Sequence, residues 1–136
     1  MINLNKLLYS EIILLYFLFN SFIKVHSYSE VNITIRGNGT QKILNDQSRK
    51  CGPHSNIVYI PNEIYINGIF YNTNNYYYVN NLENEINNIT IRWNNTIQNC
   101  NHIFSDLNNV IYFDFSNFDS SEVTYMGCMF INCISL

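Results

Sequence analysis

Cysteine, histidine and carboxylate are the side chains through which this chain would do chemistry, and their spacing argues against most of it. Cys51-Gly52-Pro53-His54 sets a thiol three residues from an imidazole, as a thiol nucleophile and its base would require. A Gly-Pro loop carries no local signature of such a pair, and a loop cysteine beside a surface histidine is the simpler reading. Cys128 and Cys133 are five apart, wider than the spacing of paired zinc ligands, and His102 has no partner at helical spacing. Core cysteines fit better, and no metal or cofactor is expected. Asp114 and Asp119 flank the strand-to-turn segment, and Asp106 precedes it. Asp114 lies between two inward phenylalanines and so faces outward, either to meet a ligand or only to keep an open face soluble. No catalytic residue emerges, and a non-enzymatic protein is expected.

The elements that would position these groups are clearest in residues 108–136. Val110, Phe113 and Phe115 follow a strand-like spacing, with Phe113 and Phe115 on one face. After a polar turn that includes Phe118, the apolar positions become Val123, Met126, Met129, Phe130 and Cys133. The last four fall at i, i+3, i+4 and i+7, which predicts a short helix with Ser120 or Ser121 as its N-cap. Such a unit is too thin to bury both faces and must stack on a neighbour. Shifting the chain by 26 residues supplies one: Ile103-Phe104 falls on Met129-Phe130, Leu107 on Cys133, Val110 on Leu136, Ile97 on Val123 and Cys100 on Met126.

That period and strand pattern belong to the leucine-rich-repeat range. The run Phe113-Asp114-Phe115-Ser116-Asn117-Phe118-Asp119-Ser120-Ser121-Glu122-Val123-Thr124-Tyr125-Met126, with Met129-Phe130-Ile131-Asn132-Cys133-Ile134-Ser135-Leu136, resembles the repeat of BspA-type leucine-rich-repeat surface proteins. It departs from that repeat in having Phe for Leu on both sides of Asp114, and the earlier copy has Leu107 where the later has Cys133. The resemblance implies an α/β repeat, a leucine-rich-repeat-like solenoid start with a strand and a short helix in each 26-residue unit over residues 89–136. The repeat core would be Val110, Phe113, Phe115, Phe118, Val123, Met126, Met129, Phe130, Cys133 and Leu136. The chain stops where another repeat strand would begin, so a longer array is expected.

Residues 1–27 read as a secretory signal peptide. Lys6 precedes an uninterrupted apolar run from Ile12 to Phe19, and Val25-His26-Ser27 suits cleavage. An uncleaved anchor is the alternative, but Ser10, Glu11, Asn20 and Ser21 interrupt a span that needs about 20 apolar residues. Removing Lys6, Lys24 and Glu11 takes away a net +1 and moves the formal charge from −3 to −4. Beyond position 51 a single arginine, Arg92, faces seven carboxylates, which excludes a nucleic-acid partner. Sequons stand at Asn32, Asn38, Asn88 and Asn94, and in a secreted eukaryotic chain each offers a glycosylation acceptor. So asparagine-rich a chain generates several by chance, so their number alone proves nothing. Cys51, Cys100, Cys128 and Cys133 either pair, in one of three connectivities, or remain buried thiols.

Residues 28–88 read as a β-rich cap for the solenoid. Val31–Arg36 alternates, Gly37-Asn38-Gly39 turns, and Gln41–Leu44 is expected to return as a hairpin. Asn67-Gly68 between Ile64–Ile66 and Ile69–Tyr71 is a second hairpin signal. Tyr76–Val79 adds a strand, and Ile89, Ile91 and Trp93 alternate in the next.

The function expected is secreted or cell-surface protein or glycan recognition and adhesion, with an extracellular protein or glycan as partner. Membrane contact would come only through the signal sequence or a C-terminal anchor outside this sequence. A structural cell-coat component and an inert fragment of a diversified surface-protein family are the competing readings.

Overall fold

The computed structural model describes residues 28–46 and 59–136. The expected signal peptide and the Cys51–His54 pair lie outside the described residues. Among the described residues seven strands form: β1 (Ser29–Arg36), β2 (Gly39–Lys42), β3 (Glu63–Ile66), β4 (Ile69–Phe70), β5 (Tyr78–Leu82), β6 (Ile86–Trp93) and β7 (Val110–Asp114). Five make one antiparallel sheet in the order β4-β3-β6-β1-β7, and β2 pairs with β5 in a second.

Alternation builds the main sheet. Val31, Ile33 and Ile35 of β1 meet Ile91, Ile89 and Asn87 of β6, and the apolar members are buried. Ile64 and Val110 extend that inner face. Against it pack Ile43, Leu44, Val79 and Leu82 from around the small sheet, and Ile97, Cys100, Ile103, Phe104, Leu107 and Met129 from the turn-rich segments. Asn87 is the polar exception at 1% exposure, and it is fully engaged. Its amide donates to the carbonyls of Gly37 and Asn84 and accepts from Asn67.

Asn67 (φ 50°) and Gly68 (φ 82°) both turn left-handed and join β3 to β4 as a two-residue hairpin. The Gly37-Asn38-Gly39 turn does something else. It carries the chain out of β1, and β2 pairs with β5 instead of returning along β1, whose two edges are taken by β6 and β7.

The expected α/β solenoid, with a helix in each unit, is not what this chain forms. No helix occurs among the described residues, and every strand pairing is antiparallel. The i, i+3, i+4, i+7 stripe at Met126, Met129, Phe130 and Cys133 comes from consecutive turns. Cys128 (φ 56°) and Asn132 (φ 60°) are left-handed, and the short bonds run from Ile131 N to Cys128 O and from Cys133 N to Phe130 O. Left-handed residues four apart cannot sit in an α-helix. The expected N-cap is replaced by a local turn in which the Asp119 carboxylate accepts the Ser121 N–H.

Those turns stack. Backbone N–H groups of Cys100, His102, Phe104 and Asp106 donate to the carbonyls of Tyr125, Gly127, Met129 and Ile131. Asn99 and Tyr125 form a parallel bridge, and the left-handed pairs His102/Cys128 and Asp106/Asn132 each lie one 26-residue step apart. Phe104, 0% exposed, anchors the stack, with ring centroids 4.9 Å from Phe113, 5.8 Å from Phe115 and 6.0 Å from Phe130.

Phe104→Ala is expected to lower unfolding free energy by about 3–5 kcal/mol in urea titration, because it empties a closed aromatic cluster. Met126→Ala, at a side chain 56% exposed, is expected to change it by less than about 0.5 kcal/mol. Equal costs would refute this account of the core.

Candidate recognition face

The outer face of the five-stranded sheet is polar, and the strand register assigns its rows. One row runs Phe70, Tyr65, Thr90, Asn32, Asp114 across β4, β3, β6, β1 and β7. A second runs Glu63, Arg92, Glu30, and a third runs Asn88, Thr34, Tyr112.

Arg92 is the hub. Its Nε donates to Glu30 Oε2 at 2.5 Å and its Nη1 approaches Glu63 Oε2 at 3.5 Å. The guanidinium carbon lies 4.8 Å from the Tyr65 ring centroid and 5.2 Å from that of Tyr28, so the cation contacts two aromatic rings. The Tyr65 hydroxyl donates to Glu63 Oε2 at 2.9 Å, which raises the phenol's pKa.

Glu30 is the buried member, 6% exposed. Burial alone pushes its carboxyl up. Donors on Arg92, Asn32 and Asn117 together outweigh that, and the pKa lies below its ordinary value of 4.5. Asp114 is held low by the N–H and the hydroxyl of Ser116, and Asp119 by the hydroxyl and the N–H of Ser121.

Two sequons share this face. Thr90 Oγ1 donates to Asn32 Oδ1 at 2.6 Å, and Thr34 Oγ1 donates to Asn88 Oδ1 at 3.1 Å. Each threonine therefore serves the asparagine of the opposite strand. Asn38 and Asn94 lie elsewhere, both exposed, in the turn after β1 and the turn after β6.

No protein-family model, curated protein or solved structure matches this chain. What the face can do therefore has to be read from its own side chains.

The residues expected to form a repeat core divide. Val110 and Met129 are buried, and Phe113, Phe115, Phe118, Val123 and Cys133 pack partly buried on the core. Met126, Phe130 and Leu136 are exposed at 56%, 38% and 62%. Asp114 caps its own turn at the edge of the face, whereas Asp106 accepts from Asn132 in the stacked turns. Burial pushes the Cys100 thiol up to about 11, which makes it a core group, and the partly buried Cys133 donates its Sγ hydrogen to the Phe104 carbonyl at the edge of that core. Among the described residues no group of three or more His, Cys, Asp or Glu converges as metal ligands, and no helix is long and apolar enough to cross a membrane.

The Arg92 hub went unforeseen, although a signal was present. The pentapeptide Asn-Ile-Thr-Ile-Arg occurs twice, ending at Arg36 and at Arg92, and the two copies pair antiparallel about Ile33 and Ile89. Identical alternating segments are natural cross-strand partners, because their polar faces coincide.

Arg92→Ala is expected to cost about 2–3 kcal/mol in chemical unfolding, since it leaves the Glu30 carboxylate buried without its cation. Glu63→Gln, at a side chain 40% exposed, should cost less than about 1 kcal/mol. A group with a lowered folded pKa stabilises the fold above its unfolded pKa and loses that contribution as pH falls through the folded value. Stability should thus decline below pH 4.5 in the parent protein. Arg92→Ala should show a shallower acid slope, the residue of it belonging to Asp114 and Asp119. An unchanged slope would separate Glu30 from acid sensitivity.

Proposed function

We propose that this protein is a secreted or cell-surface, non-enzymatic recognition protein that binds an extracellular protein or glycan through the polar face of its five-stranded sheet. The observation that carries the reading is the Tyr28–Arg92–Tyr65 arrangement, which holds two aromatic rings, one on β3 and one just before β1, against a cation on β6. Around it stand Tyr112, 59% exposed, and Phe70, 57% exposed, among the amides and hydroxyls of Asn32, Thr34, Asn88 and Thr90. Aromatic side chains with polar neighbours suit the binding of sugars and of protein surfaces alike. Tyr65, Phe70 and Tyr112 stand on strands and Tyr28 directly precedes β1, which limits the entropy lost on binding.

A structural role in a cell coat is the second reading, supported by a different region. An apolar cleft of about 280 Å³ is lined by Phe115, Phe118, Met126, Met129 and Phe130, with Cys100 and Ser120 completing it. Ile134 and Leu136 are exposed in the same terminal stretch, at 78% and 62%. Such a surface favours association.

One pair of measurements separates the readings. The secreted protein is tested against an array of glycans and extracellular-matrix proteins, alongside Tyr112→Ala and Phe70→Ala. Recognition by the sheet face predicts a ligand whose affinity falls at least about 10-fold in one of the two variants. Absence of any ligand, or binding indifferent to both changes, would refute it. Concentration-dependent growth of assemblies in sedimentation velocity, abolished by Met126→Asp, would then support the coat reading.

A further inference from the structure

We propose, on the basis of the secretory reading, that the protein carries N-linked oligosaccharide on Asn38 and Asn94 and leaves Asn32 bare. The four sequons are equivalent in sequence but not in structure.

The chemistry is the same at each. The asparagine Nδ2 attacks C1 of an oligosaccharide carried on a lipid diphosphate. The Nδ2–C1 bond forms, the C1–O bond to the diphosphate breaks, the lipid diphosphate leaves, and a basic group of the host's transferase takes the Nδ2 proton. Transfer occurs as the chain enters the secretory lumen. At that point β1 and β6 have not met, because the threonine–asparagine bonds that join their sequons span 54 and 58 residues of sequence. The fold therefore acts afterwards, by deciding which modified chains can complete it.

Asn38 and Asn94 cost the fold nothing. Asn38 stands exposed between Gly37 (φ 120°) and Gly39 (φ 67°), and its backbone carbonyl alone takes the bond from Gln41 Nε2 at 2.7 Å. Asn94 is exposed just past β6, fixed through its backbone N–H to Asn62 Oδ1 at 2.8 Å. In both, the side-chain amide is at the surface and the strand ladder is untouched. They lie beyond opposite ends of the eight-pair β1–β6 ladder, about 25 Å apart at strand rise.

Asn32 is different at both ends of its amide. Nδ2 donates to Glu30 Oε1 at 3.1 Å, and Oδ1 accepts from Thr90 Oγ1 at 2.6 Å. A sugar on Nδ2 must stand between β6 and β7, beside a carboxylate 6% exposed that is already packed against Arg92 and Asn117. Nδ2 keeps one hydrogen after transfer, so what the fold loses is room: a sugar there crowds the half-buried Asn32 amide out of its place between Glu30 and Thr90, and chains modified there fold poorly and are held back.

The test uses the full chain expressed in a eukaryotic secretory host. Protein from the medium is deglycosylated enzymatically in ¹⁸O-labelled water, which converts each formerly occupied asparagine to labelled aspartate, and peptides are weighed by mass spectrometry. Label is expected at Asn38 and Asn94 in most molecules, and at Asn32 in under about a tenth. Asn38→Gln and Asn94→Gln should each remove one oligosaccharide from the intact mass, and Asn32→Gln none. Label at Asn32 equal to that at the two loop sites, or bare loop sites in secreted protein, would overturn the assignment. A chain that never enters the lumen refutes the secretory reading instead and removes the assignment with it, and cell fractionation distinguishes that failure from a wrong choice of site.

Discussion

Glu30 is a carboxylate 6% exposed that must be bonded where it lies, and satisfying it joins three distant stretches of chain. Arg92 reaches it from β6, Asn32 from its own strand, and Asn117 from the segment after β7, whose carbonyl also takes the Glu30 N–H. Next to it, the Ser29 hydroxyl reaches the Asp119 carbonyl. The start of β1 is thereby fixed against both flanking strands. A slip of one residue would turn Glu30 inward and Val31, Ile33 and Ile35 outward. The apolar face resists that slip in general, and the ion pair resists it at one defined position. Buried charge pairs add little net stability against an apolar replacement, so the contribution here is to register.

Much of the sheet was legible. The alternation in β1 and β6 follows from strand geometry, Asn67-Gly68 turns as its residue types dictate, and in β7 the three-residue step from Val110 to Phe113 reaches one face through a register shift against β1, with Phe115 lying past the strand. The helix was not, for a definite reason. Apolar residues at i, i+3, i+4 and i+7 mark an amphipathic helix only if every intervening residue is right-handed. Here the same spacing arises from three-residue turns separated by left-handed Cys128 and Asn132. Periodicity reports which side chains face inward, and it is silent on backbone hand. Asparagine tolerates the left-handed region, so a turn-rich stretch with a helical stripe has a cue in Asn132, whereas Cys128 offers none.

The 26-residue offset has a firmer basis than the element type read from it. Hydrogen bonds run between segments one step apart, and matched left-handed residues let the two backbones lie in phase. Phe104 then has a bed of rings from both the strand and the outer turn, which is why a full aromatic side chain fits in the inner copy. Its counterpart Phe130, on the outer layer, is 38% exposed because no further layer covers it among the described residues. The repeat thus fixed position in the stack, and position decided burial.

The polar face proposed for recognition was hidden for another reason, since its hub joins residues 62 apart in sequence and no local pattern names such partners. Its composition is nonetheless informative. Only 12% of the chain is charged, and asparagine supplies much of the remaining polarity. On this face the amides and hydroxyls are already bonded to one another, as Asn32 is to Thr90 and Asn88 to Thr34, which fixes their rotamers before any ligand arrives. Charged rims chiefly accelerate encounter, whereas fixed neutral groups beside aromatic rings discriminate by shape and hydrogen-bond pattern. A face of this kind favours a ligand that exchanges hydrogen bonds and stacks on rings over one drawn in by long-range charge. Arg92 agrees with that preference: its cation is neutralised by Glu30 and Glu63, and what it offers a ligand is chiefly the orientation of the two tyrosines beside it.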